Sequence, residues 1–99
     1  MSPQSMRARA PNFEGTSQKS VQDIAGCIGS KLNPAKMPIS SFPIEHGTSF
    51  VLGGGMNNAD ITIDVIDLGA ARSVRFYSRK FPISFIPNKS IEGKLQSCL

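Results

Sequence analysis

The sequence contains no apolar run approaching the roughly 18 residues that a membrane-crossing helix requires, so the folded part is not expected to be embedded in a bilayer. Its first residues, MSPQSMRARAPNFEGTSQ, carry no hydrophobic segment of the signal-peptide kind. Two situations stay open on that point: a chain that remains in the cytoplasm, or a mature form that has lost an export signal. Histidine occurs once, at His46, and cysteine twice, at Cys27 and Cys98, with no Cys-x-x-Cys spacing. That set is too sparse for a zinc centre. The triple glycine at Gly53-Gly54-Gly55 lacks the Gly-Lys-Ser or Gly-Lys-Thr ending of a phosphate cradle, and a connecting loop is the simpler reading. Charge is also scarce: only 18% of the residues are charged, and the net charge of +4 gathers partly near the N-terminus, at Arg7 and Arg9. Arg72, Arg75 and Arg79 form the only basic series, so a broad nucleic-acid-binding face is not expected.

Nine glycines and seven prolines in 99 residues point to many turns and to a strand-rich fold. Residues 1–16 show neither helical nor strand periodicity and read as a disordered tail. A helix follows. Ser20 and Asp23 resemble a capping box, and Val21, Ile24, Ala25, Ile28 and Leu32 recur at steps of three and four until Asn33-Pro34 ends the pattern. Gly26 and Gly29 each weaken it by roughly 1 kcal/mol relative to alanine, so tertiary packing must hold it.

From Ile39 the period becomes two. Ile39–Ile44 and Thr48–Leu52 flank the turn-like Glu45-His46-Gly47, and Pro43 confines its strand to a sheet edge. Asp60–Leu68 and Ala71–Arg79 then flank Gly69-Ala70, the pattern of a type II′ turn. That turn sets a register: Val65 opposite Val74 and Ile63 opposite Phe76 on one face, with Asp64 opposite Arg75, Thr62 opposite Tyr77 and Asp60 opposite Arg79 on the other. A slip of one residue would set Asp64 against Phe76. Phe81, Ile83, Phe85 and Ile86 extend the apolar content, but Pro82 and Pro87 make that stretch an edge or a crossover. Ser90 is placed to cap a short final helix whose apolar face is Ile91, Leu95, Cys98 and Leu99.

Cys27 borders the inward face of the first helix and Cys98 lies on that of the last. With both helices on one face of the sheet, a Cys27–Cys98 disulfide would close most of the folded chain into one loop; two buried free thiols are the other reading. Elsewhere the chemistry is thin. His46 would need Ser41 or Ser49 beside it to activate a nucleophile, and serines near a turn are ordinary turn residues. Asp60 and Asp64 share a face that Asp67 does not, so the carboxylates are separated; Asp67 is placed to pair with Arg72 beside the turn. No metal site, cofactor or catalytic set is expected.

The order of a helix bearing Ile-Ala-Gly-Cys-Ile, then strands, then Gly-Ala-Ala-Arg-Ser-Val-Arg-Phe-Tyr, then a final helix ending Ser-Cys-Leu resembles a group of small proteobacterial periplasmic proteins and lipoproteins, over about residues 18–99. The resemblance implies an envelope location and transfers no catalytic residue.

These elements add up to a single α+β domain over residues 17–99: an antiparallel meander of about four strands, with N-terminal and C-terminal helices packed on one face. The opposite face carries Thr62, Asp64, Arg75, Tyr77 and Arg79 and is the candidate partner surface, against the plainer reading of a solvated face. The leading expectation is a noncatalytic periplasmic or secreted protein that binds another protein or a cell-envelope component. The alternative is a small cytoplasmic nucleic-acid-binding module using the arginine-bearing strand and the basic tail. An enzyme ranks third, and a pocket converging on His46 is the feature that would favour it.

Overall fold

The computed structural model describes residues 7–8, 10–32, 39–53, 59–78 and 88–99, with the backbone alone at 53, 59, 60 and 88–90. Its elements in chain order are β1 (Phe13–Ser17), α1 (Val21–Leu32), β2 (Ile39–Ile44), β3 (Gly47–Gly53), β4 (Ala59–Asp67), β5 (Arg72–Ser78) and α2 (Asn88–Cys98). Ser20 starts α1 as its sequence indicates: its hydroxyl accepts the Asp23 N–H at 3.1 Å, and its carbonyl accepts the Ile24 N–H at 3.0 Å. The first turn of a helix has no partners of its own for these donors, so the cap satisfies what would otherwise need water. Ile24, Ile28 and Leu32 are then buried at helical spacing, with Val21 and Ala25 packed beside them.

The four strands β2 to β5 form the expected meander. Ile44 lies opposite Gly47, so Glu45-His46 is a two-residue turn, and β2 with Pro43 occupies a sheet edge, where a missing N–H does least harm. Gly47 is required for a different reason: a Cβ there would overlap the carbonyl oxygen of Val65 on β4. The second hairpin has the register that alternation demands, with Val65 opposite Val74, Ile63 opposite Phe76, Thr62 opposite Tyr77 and Asp64 opposite Arg75. Gly69 has φ 91°, the positive value that a type II′ turn needs at its first central position. The expected Asp60–Arg79 pair, and the stretch from Phe81 to Pro87, lie outside the described side chains.

The sheet has five strands rather than four, in the order β1-β5-β4-β3-β2. The additional strand comes from a segment whose larger part reads from sequence as disordered tail. Phe13 lies opposite Phe76, Gly15 opposite Val74 and Ser17 opposite Arg72, all antiparallel. A strand of five residues with a glycine at its centre has almost no periodic signal of its own, and it is the open edge of β5 that gives it a backbone ladder. Because β1 and β2 are the opposite edges of the sheet, the connection that contains α1 runs from one edge to the other.

Both helices bury their apolar faces in the same core. Ile24, Ile28 and Leu32 of α1 meet Ile91, Leu95 and Cys98 of α2 over Ile61, Ile63 and Val65 of β4 and Val74 and Phe76 of β5. Each such aliphatic side chain contributes about 1.5–3 kcal/mol when fully withdrawn from water. Helix α2 begins at Asn88, so Ser90 lies inside its first turn instead of capping it. Its other end is tied down: Ser17 Oγ donates to the Leu99 carbonyl at 3.1 Å, and Lys19 Nζ to the Cys98 carbonyl at 3.5 Å. Cys27 and Cys98 form a disulfide across the two helices, with Cα atoms 5.7 Å apart and 71 residues of separation. A cross-link closing a loop of that length contributes about 4 kcal/mol in the loop-entropy account.

Candidate functional site

Strand alternation gives β4 two unlike faces. Ile61, Ile63 and Val65 point into the helix-covered core, so Thr62 and Asp64 must point to the other side of the sheet. The sequence suggests that this second face is open. In the structure Thr62 and Tyr77 are buried and Asp64 is only 2% exposed, so three of the five candidate surface residues are closed off. Arg75 is half-buried, and Arg79 falls outside the described residues. Around Tyr77, Val51 and Phe42 form a small apolar cluster that seals part of this face.

The polar centre is built from three segments. Strand register sets Ser49 of β3 directly opposite Asp64, and the Ser49 hydroxyl donates to Asp64 Oδ1 at 2.8 Å. Arg7, from the segment before β1, completes the arrangement: its Nε donates to Asp64 Oδ2 at 2.7 Å, and its Nη2 donates to Asp64 Oδ1 at 3.0 Å and to Ser49 Oγ at 3.1 Å. Both carboxylate oxygens are thus engaged by one planar guanidinium, the two-toothed geometry that makes arginine the best partner for a buried carboxylate. The hydrogen bond to Asp64 raises the Arg7 pKa further above its already high value, against the opposing effect of burial. Nearby, burial pushes the Tyr77 phenol above its ordinary value, and the negative charge of Asp64 adds to that.

Alternation correctly places Asp64 and Arg75 opposite each other, but they are not the ion pair. Arg75 Nε donates to Glu14 Oε2 of β1 at 2.8 Å. The reason lies in the fifth strand: β1 supplies a carboxylate on the far side of β5, at the position directly opposite Arg75, while Arg7 takes Asp64. Arg7, Glu14 and Ser49 are the residues that sequence reasoning did not assign to this cluster. The one hint available was an aspartate in mid-strand among Ile63 and Val65, a position that demands a dedicated cation.

Asp67 and Arg72 pair beside the second turn at 3.5 Å, as their positions suggest. Asp67 also accepts the Gly69 N–H at 2.8 Å; chiefly that backbone bond, and secondarily Arg72, holds its pKa below the usual carboxylate range. Arg72 further donates to the carbonyls of Gln18 and Lys19, both at 2.8 Å, and so secures the link between β1 and α1.

A concavity of about 690 Å³ lies beside His46, lined also by Val21, Gln22, Gly47, Asp67, Leu68 and Gly69. His46 itself is 71% exposed at the side chain, within 3.5 Å of Glu45. Neither Ser41 nor Ser49 is among the lining residues, and Ser49 is occupied by Asp64 and Arg7. Asp67, bonded to a backbone N–H and an arginine, is a weak proton acceptor. No nucleophile–histidine pair is assembled among the described residues of this groove. Among the described residues, no three His, Cys, Asp or Glu side chains converge as a metal site would require, and no described helix is long and apolar enough to cross a membrane. Comparison with protein-family models, with curated proteins and with solved structures gives no match to this chain.

Proposed function

We propose that the protein is a noncatalytic binding protein of an oxidising compartment, the bacterial periplasm or the cell exterior, whose partner is another protein or a component of the cell envelope. The observation that carries this reading is the Cys27–Cys98 disulfide, which joins the two helices that cover the sheet. Structural disulfides of this kind persist in oxidising environments and are rare where glutathione keeps thiols reduced. A domain of 99 residues also has a small core, so a cross-link worth about 4 kcal/mol is a large share of its net stability. The resemblance of its helical and strand motifs to small periplasmic proteins and lipoproteins points the same way. Intact mass measured after trapping free thiols, on protein taken from its native compartment, tests the reading. The chain should be lighter by two hydrogens than its reduced form and should take up no alkylating reagent; full alkylation of Cys27 and Cys98 would remove the argument.

Nucleic-acid binding through the arginine strand is the rival, and the placement of the cations counts against it. Arg72 and Arg75 lie on opposite faces of β5, and both spend their guanidinium groups on partners within the chain. Arg7 is spent in the same way. A gel shift at low salt that weakens steeply with added salt would favour this rival over the binding protein proposed here.

A further inference from the structure

The Asp64–Ser49 cradle belongs to the sheet, but its occupant does not. Asp64 and Ser49 sit opposite each other on adjacent inner strands, held by the ladders on either side. Arg7 reaches Asp64 from 57 residues away in sequence and Ser49 from 42. The segment that carries it joins the sheet at Asn12, whose N–H donates to the Phe76 carbonyl at 2.7 Å and whose Oδ1 accepts the Ser78 N–H at 2.9 Å. The host groups are therefore fixed by strand pairing, while the guest is a side chain on an arm that precedes the first strand. The guest's side chain is still 30% exposed, whereas that of Asp64 is 3% exposed, so water and solutes can reach the guanidinium from outside.

We infer that this cradle is a binding site for the guanidinium group of an arginine on a partner polypeptide, and that Arg7 fills it within the chain until the arm is displaced. The chemistry defines the ligand. The carboxylate and the hydroxyl bonded to it match the forked donors of a guanidinium, which reaches the two carboxylate oxygens from two different nitrogens; an ammonium has a single nitrogen and cannot reproduce that two-toothed contact. This inference names the ligand class of the binding protein proposed above and rests on that reading; its test does not depend on the redox state, so the two can fail separately.

The test uses the full chain carrying Arg7→Ala, with L-argininamide as probe and lysinamide as control. The substitution empties the cradle and lowers the unfolding midpoint. Millimolar argininamide is expected to recover several degrees, in a saturable way, because a ligand that binds only the folded state stabilises it by mass action. Lysinamide should recover little, and Asp64→Asn in the same background should abolish the recovery. Arg7→Lys, which keeps a cation over Asp64, provides the same readout with a smaller initial loss. If neither variant folds unaided, recovery of the folded signal on refolding with argininamide takes the place of the midpoint shift. Equal recovery with both amides, recovery that survives Asp64→Asn, or no recovery in any of these formats overturns the inference.

Discussion

On the side of the sheet turned to the helices, β4 presents Ile61, Ile63 and Val65; on the other side it presents Thr62 and Asp64, and all five are almost wholly withdrawn from solvent. One face is held by apolar area, which is non-directional and adds up over many weak contacts. The other is held by a few charge-assisted hydrogen bonds whose partners must be present in the right place, because a buried carboxylate without them is costly. The helix-covered face should therefore fail by degrees in proportion to volume removed. The polar face should fail according to which partner is lost.

The largest effect is expected on the apolar side. Phe76 is fully buried at the centre of β5, and Phe76→Ala should cost about 3–5 kcal/mol through lost transfer energy and the cavity left behind. Chemical denaturation of the oxidised protein measures it. A loss below about 1 kcal/mol would mean that the site collapses around the gap and that the core is less tightly packed than its burial indicates.

The polar side should show an asymmetry that the apolar side cannot. Arg7→Ala strands Asp64, whereas Asp64→Leu strands Arg7, whose partly exposed guanidinium can turn to water. The first should cost about 1–3 kcal/mol, discounted for the wetness of the arginine, and the second less. The double variant Arg7→Ala/Asp64→Leu should recover much of the loss, since an apolar side chain asks nothing of its neighbours. Additive losses in that double-mutant cycle would show that the two side chains act independently.

Within the same face, Arg75 and Glu14 are the control. Their side chains are 37% and 50% exposed, so the 2.8 Å ion pair competes with water and salt. Arg75→Ala should cost no more than about 0.5 kcal/mol. A loss matching that of Arg7→Ala would mean that burial is not what separates the two ion pairs.

Much of this arrangement was legible in the residues, and the part that was not follows a pattern. The capped helix, the two hairpins, the edge position of Pro43 and the register of Ile63, Asp64 and Val65 against Val74, Arg75 and Phe76 all rest on local signals: a serine at the right offset, a glycine in a turn, alternation over seven or more residues. The pairing of Cys27 with Cys98 was readable because each lies on or beside an apolar helical stripe. What escaped was non-local. Phe13–Ser17 is a strand because β5 offers it an edge, and Arg7 is part of a site because Asp64 draws it in; nothing in the first sixteen residues announces either. The burial of Asp64 escaped for the same reason, since Arg7 was assigned to the tail; that of Val51 and Tyr77 has another source, because Phe42 of β2 packs against them.

The smallest effect at neutral pH, and the most specific readout of the polar face, is the titration of Tyr77. The chain has one tyrosine and no tryptophan, so phenolate absorbance reports on this residue alone. Burial first, and then Asp64, hold its pKa above the ordinary 10.0, while Arg75 and Arg7 pull the other way. A raised folded-state value means that the fold prefers the neutral phenol. The associated stability is fully present below the unfolded value and is lost as pH climbs from there through the folded value. The native midpoint should therefore lie above the midpoint in denaturant, and Tyr77→Phe should remove this part of the alkaline loss while leaving neutral stability nearly unchanged. The partners of the polar cluster should move that midpoint in opposite directions: Asp64→Leu lowers it by removing a negative charge, and Arg7→Ala raises it by removing a positive one. Apolar substitutions such as Phe76→Ala, on the far side of the strand, carry no charge and have no comparable lever. If both charge variants shift the midpoint the same way, the change reports loosening of the whole sheet, and the distinction between a face held by area and a face held by named partners does not hold.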